Sequence, residues 1–261
     1  MRIPIYQVDA FTDHVFGGNP AAICPLKEWI DSNSMQKIAE ENNLSETAFF
    51  VSKNDYFEIR WFTPTVEINL AGHPTLAAAW VIYNEFNYHK NQIRFISPLS
   101  GELFIEKEDD LISMNFPANN PYLIEIDKLL IKALGQKPTE VLKSRDLLVI
   151  YKSQSDIERL NPDFRLLAQL DTFGIIVSAP GNNSDFVSRF FAPRAGINED
   201  PVTGSAHTTL IPYWAQKLNK TKMNAIQLSK RTGKIYCEYL GNRVKISGNA
   251  RLFMKGEIII C

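Results

Sequence analysis

Five side chains of this sequence are of the types, and in the places, that proton-transfer chemistry requires: Glu46, His73, Asp200, Ser205 and His207. Glu46 stands in Asn43-Leu44-Ser45-Glu46-Thr47-Ala48-Phe49-Phe50, an acid at the lip of an apolar strand. Exposed, it is an ordinary strand-start carboxylate. Turned into a dry cleft, it would have its pKa raised by desolvation and could pass a proton near neutral pH. His73 lies in Gly72-His73-Pro74, just before an apolar helix, and Asp200, Ser205 and His207 flank the start of a second one. Each helix start offers unsatisfied amide donors and a partial charge of roughly +0.5, an anion site that could hold a carboxylate or an enolate. Capping alone would account for Ser205 and Asp200, and a lone histidine at a helix start is more often structural than catalytic. Titratable residues at both starts, using two of only four histidines, shift the balance towards function.

The two helices belong to a repeat. Arg60-Trp61-Phe62-Thr63-Pro64 and Arg189-Phe190-Phe191-Ala192-Pro193 lie 129 residues apart, and Ile68-Asn69 and Ile197-Asn198 keep the same offset. Residues 76–82 leave no polar face, so the first helix must be enclosed on every side, as by sheet wrapped around it. Pro74 is expected at the first helical position. Pro212, about two turns into the second helix, is expected to kink or shorten it. Matching Gly72 to Gly204 needs three extra residues in the second copy, and matching Ala71 to Pro201 needs one. Alternation and β-branched content predict strands at 4–9, 48–51, 57–62 and 92–96, with a hairpin of 102–105 and 111–115 about Asp109-Asp110. Further strands are predicted at 147–151, 174–178, 186–191, 234–239, 243–246 and 256–260. The turn cluster at 115–121 precedes a helical pattern over 123–134 that stops at Gly135, and the domain boundary is placed there, giving domains 1–116 and 117–261. The expected fold class is α+β: two duplicated domains, each a mostly antiparallel sheet around a central helix, with the active site in the cleft between them.

Composition excludes several classes. Of 261 residues 45% are hydrophobic, and 28 basic against 29 acidic side chains leave a net charge of −1, with no basic run for a phosphate backbone. The longest apolar run, 76–83, is too short to span a bilayer, and the N-terminal residues lack a signal-peptide pattern, so a cytoplasmic protein with no membrane or nucleic-acid partner is expected. Cys24, Cys237 and Cys261 form no CxxC pattern and are taken as reduced thiols. No GxGxxG or GxSxG occurs, and His14, His73, His89 and His207 have no ligand spacing, so neither cofactor nor metal is expected. The rival to an enzyme is a duplicated fold that binds a small carboxylate or another protein without catalysis.

Asp9-Ala10-Phe11-Thr12 with Gly18-Asn19-Pro20-Ala21, then Ser45-Glu46-Thr47, Phe62-Thr63-Pro64, Ala71-Gly72-His73-Pro74-Thr75 and Asp200-Pro201-Val202-Thr203-Gly204-Ser205-Ala206-His207 follow in order over nearly the whole chain. Together they resemble the phenazine-biosynthesis isomerase family, whose fold is similar to that of diaminopimelate epimerase. The resemblance implies that Glu46 shuttles a proton between carbon atoms of the substrate, in that family a dihydro-hydroxyanthranilate, and that His73, Asp200 and Ser205 line it. On that basis Glu46, Asp200 and His73 are the expected catalytic residues, and Ser45, Gly72, Thr203, Gly204 and Ser205 the expected substrate contacts. Diaminopimelate epimerase works with two thiols, and the nearest positions here hold Ala71 and Pro201, which excludes a thiol-pair mechanism. The resulting expectation is a cofactor-independent isomerase of a small carboxylate-bearing substrate, assembled as a homodimer.

Overall fold

The computed structural model describes residues 1–260; Cys261 lies outside them. The chain divides into two compact units, one made of Met1–Asn115 with Ser247–Cys261, the other of Phe116–Ile246. The first break falls next to the expected 116/117 boundary, but the second unit does not run to the C-terminus. Residues 247–260 return to the first unit.

In the first unit the elements are β1 (Arg2–Ala10), β2 (Asn19–Leu26), α1 (Ser32–Asn42), β3 (Glu46–Ser52), β4 (Phe57–Phe62), β5 (Glu67–Ile68), α2 (Gly72–Glu85), β6 (Gln92–Ser97), β7 (Gly101–Glu108) and β8 (Leu111–Pro117). The predicted hairpin is present, closed at Glu108↔Leu111 with Asp109 at φ 53°. A strand near the C-terminus, Ala250–Ile259, pairs antiparallel with β1 along its whole length, from Arg2↔Ile259 to Ala10↔Ala250. α2 packs against β1, β2, β3 and this C-terminal strand, and Leu76, Ala77, Ala78, Ala79, Val81 and Ile82 have no exposed surface. The apolar stretch is enclosed, as its sequence demands, except at Trp80, which is half-buried. α1 covers the opposite face with Met35, Ile38 and Ala39 against Phe49, Val51 and Phe62, which is why β3 is apolar on both sides. α2 begins at Gly72 with Ala71 as N-cap, so Pro74 is its third residue, not its first; its missing donor still falls among the first-turn amides that no helical carbonyl needs.

The second unit contains β9 (Tyr122–Ile124), α3 (Lys128–Leu134), β10 (Glu140–Lys143), β11 (Leu147–Ile150), α4 (Gln154–Glu158), α5 (Phe164–Leu167), β12 (Ile175–Pro180), β13 (Phe186–Phe191), α6 (His207–Leu218), β14 (Lys222–Gln227), β15 (Gly233–Tyr239) and β16 (Arg243–Gly248). The helix predicted over 123–134 is shorter, because Asp127 caps it by accepting the Leu129 N–H at 2.7 Å and residues 122–124 form β9 instead.

Duplication is plain in the pairing pattern. The steps β1–β2, β2–β3, β3–β4, β4–β6 and β6–β7 run antiparallel, parallel, antiparallel, parallel, antiparallel. The steps β10–β11, β11–β12, β12–β13, β13–β14 and β14–β15 repeat that alternation. The repeated Arg-x-Phe does the same job twice. Arg60 forks onto Glu67 through Nε and Nη2, both at 2.7 Å, and Arg189 onto Glu199 at 2.7 and 3.0 Å. Each guanidinium also lies over the phenylalanine two residues on, 5.2 Å from the Phe62 centroid and 5.0 Å from that of Phe191.

The shared register ends at the proline. Ile68 pairs with Trp61, whereas Ile197 bridges Ala192, because a 3-10 turn, Pro193–Ala195, lengthens the second copy. The Ile-Asn match in sequence is therefore not a structural equivalence. Helix α6 is continuous over 12 residues despite Pro212. Proline leaves the Thr208 carbonyl without its helical donor, and the Asn119 N–H takes that place at 3.0 Å. No helix among the described residues is long and apolar enough to cross a membrane.

Candidate active site

Glu46 opens β3, and its register partner in the parallel neighbour β2 is Ala21. The residue before it in β2, Pro20, supplies a carbonyl that accepts a hydrogen bond from the His73 ring. His73 is the second residue of α2, buried against β2. Its Nε2 makes no hydrogen bond and faces Glu46 Oε2 at 3.2 Å, the two side chains being 7% and 14% exposed. A carbonyl can only accept, so the ring proton is on Nδ1, and Nε2 presents a lone pair to the carboxyl. Burial pushes the His73 pKa down to about 3, against the smaller opposing effect of the Pro20 carbonyl. Burial thus keeps the ring uncharged at neutral pH, with its Nε2 lone pair turned to the Glu46 carboxyl. The arrangement sets a carboxyl group against an uncharged imidazole. The α2 amides beside it carry no side-chain cap. Ser45 and Gly72, the neighbouring expected contacts, are half-buried.

In the second unit Asp200, Thr203, Gly204 and Ser205 precede α6. The Thr203 hydroxyl donates to Asp200 Oδ2, and the buried Gln227 side chain binds this stretch from the end of β14. Ser205 Oγ lies 3.3 Å from Arg145 Nη2. That guanidinium is itself held by the buried Asp146, at 2.9 and 3.2 Å, and rests 5.4 Å from the Phe173 ring centroid. His207 is fully buried, with Nδ1 2.9 Å from the Thr203 carbonyl and its ring beside Phe186. Burial lowers its pKa to about 4.

The structure therefore joins Glu46 to His73 in one unit and Asp200 to Thr203 in the other. Cys24 and Cys237 are buried, and desolvation raises both thiols far above their ordinary range, so neither is a nucleophile. Among the described residues no three His, Cys, Asp or Glu side chains are grouped to hold a metal.

Residues 8–256 match the family described as phenazine biosynthesis-like protein. The chain belongs to the phenazine biosynthesis-like family. An uncharacterised isomerase of Pseudomonas aeruginosa is 49% identical over 258 residues, covering 99% of each chain. A crystal structure of a family member from Enterococcus faecalis superposes with a TM-score of 0.98 at 46% identity, covering all of both chains. A hydroxyproline epimerase from Agrobacterium vitis has a TM-score of 0.63 at 7% identity, covering 98% of this chain and 92% of its own, which places the phenazine biosynthesis-like chain in the wider epimerase fold.

Two polar residues of this family member have no motif to announce them. Arg145 sits in Ser144-Arg145-Asp146 ahead of an apolar strand, and Gln227 ends β14, a strand whose Lys222-Met223-Asn224-Ala225-Ile226-Gln227 is too mixed to be read as one.

Proposed function

We propose that this chain is an isomerase that moves a proton on a small carboxylate-bearing substrate without a cofactor, with Glu46 as general acid and base. The observation that supports this most is the buried pair in which Nε2 of an uncharged His73 faces Glu46 Oε2 at 3.2 Å. Glu46, as a carboxylate beside the uncharged His73 ring, takes a proton from a carbon acid. The electron pair of the broken C–H bond moves onto the substrate's conjugated acceptor, and the uncapped α2 amides are suited to the charge that develops there. Glu46 then returns the proton to a different carbon and is a carboxylate again. We assign Asp200 as a second catalytic group, and Ser45, Gly72, Thr203, Gly204 and Ser205 as substrate contacts, from the family motifs they occupy. Arg145, a fixed guanidinium beside Ser205, suits a carboxylate.

The naming of the Pseudomonas aeruginosa relative as an isomerase favours this reading over a purely binding protein. The test is exchange of substrate hydrogen in deuterated water over a panel of small cyclic and amino carboxylates, wild type against Glu46→Gln. Loss of a general base lowers the rate about 10²- to 10⁴-fold. Undiminished exchange in the variant removes Glu46 from the mechanism; tight carboxylate binding with no exchange by the wild type favours the binding reading.

A further inference from the structure

We propose that Gln227 is a positioning residue that, through Thr203, fixes which way the hydrogen bond at Asp200 points. The link to turnover rests on the assignment of Asp200 as a catalytic group; the geometry does not. The Thr203 amide can only donate, so the atom it meets at 2.8 Å is Gln227 Oε1, and the orientation of the whole side-chain amide follows. Its two Nε2 protons then go to the Asp200 carbonyl at 2.8 Å and to Thr203 Oγ1 at 3.2 Å. With a proton arriving from Gln227, the threonine hydroxyl has one proton to give, and it gives it to Asp200 Oδ2. Oδ2 is therefore held as an acceptor.

The backbone at Thr203 is fixed at its other end as well. His207 Nδ1 donates to the Thr203 carbonyl at 2.9 Å, so N–H, C=O and Oγ of one residue are all engaged. Gln227 has no exposed surface and Thr203 only 7%, so water does not compete for these bonds. Gln227 in turn cannot shift along its strand, since β14 pairs with β13 through Ser188↔Gln227 and with β15 through Gln227↔Gly233. The sheet of the second unit thus orients an acid on the irregular stretch ahead of α6.

Gln227→Glu keeps the acceptor for the Thr203 N–H but places a second acceptor against Thr203 Oγ1. The hydroxyl proton then turns to residue 227 and leaves Asp200. Thr203→Val deletes the same proton outright, while Thr203→Ser retains it. The measurement is the carbon-13 carboxyl resonance of Asp200 at neutral pH, assigned by its disappearance in Asp200→Asn, in proteins that keep the wild-type melting temperature. Gln227→Glu and Thr203→Val are expected to move this resonance in the same direction, with Thr203→Ser at the wild-type position. In the exchange assay Gln227→Glu should lower kcat about 10- to 100-fold, the loss expected of one hydrogen bond to a charged group. An Asp200 resonance unmoved in both Gln227→Glu and Thr203→Val overturns the inference, and should Gln227→Glu fail to fold, the Thr203→Val and Thr203→Ser pair decides it. A resonance that moves while Asp200→Asn exchanges substrate as fast as wild type upholds the positioning and sinks the catalytic assignment of Asp200 instead.

Discussion

His207 gives the sharpest stability prediction. It is fully buried, and burial lowers its pKa from 6.5 to about 4, the bond to the Thr203 carbonyl acting weakly in the other direction. In the unfolded chain the ordinary value near 6.5 returns. As pH falls below 6.5 the unfolded chain takes up a proton that the folded protein refuses until about pH 4, so stability contributed by the neutral ring is intact above 6.5 and is lost progressively from 6.5 down to 4. At pH 5 that is 1.5 units, or about 2 kcal/mol. His207→Phe keeps a flat ring beside Phe186 but has no proton site and no donor for the Thr203 carbonyl, a loss of about 1 kcal/mol at any pH. Urea unfolding at pH 7.5 and pH 5.0 should then show the order of stability reverse: the variant about 1 kcal/mol weaker at the higher pH and about 1 kcal/mol stronger at the lower. All other titrating groups are common to both proteins and cancel in the difference. Equal losses between the two pH values in wild type and variant would refute the argument.

Two further outcomes follow from the packing. Replacing a helix-interior proline by alanine ordinarily stabilises by about 3 kcal/mol. Pro212→Ala should instead lower stability by about 1 kcal/mol, since Asn119 already satisfies the Thr208 carbonyl and buried ring surface is lost; a gain near 3 kcal/mol in chemical denaturation contradicts this. Arg60→Met, which keeps the apolar stem and removes the fork, should cost about 2 kcal/mol, and Arg189→Met should cost more, because Arg189 Nη1 also donates to the Ile157 and Leu160 carbonyls at 3.1 and 2.9 Å. Equal losses in chemical denaturation, or a neutral result for Arg189→Met, would contradict this.

What the sequence disclosed, and what it hid, divides by the range of the interactions. Residues 76–82 announce an enclosed helix because a helix apolar on all sides has nowhere else to go. The Arg-x-Phe repeat is visible because stacking two residues apart is local. Glu46 and His73, 27 positions apart, were paired in expectation only through family motifs, since the β2–β3 register that joins them is set by tertiary pairing. The missed residues share a cause. Gln227 acts 24 residues from Thr203, and Arg145 60 residues from Ser205, with no periodicity or turn signal to mark either. Local signals also misled where they competed: apolar spacing extended α3 back to 123, while Asp127, a good N-cap, fixed the true start.

The pairing of Arg2–Ala10 with Ala250–Ile259 bears on how the protein is made. The second unit is one uninterrupted stretch, Phe116–Ile246, and has all its strands as soon as that stretch has left the ribosome. The first unit, though begun earlier, waits with β1 lacking this neighbour and α2 lacking one wall until the strand at 250–259 is synthesised. The strand that completes the walls around the unit of Glu46 and His73 is thus made only after every residue of the second unit.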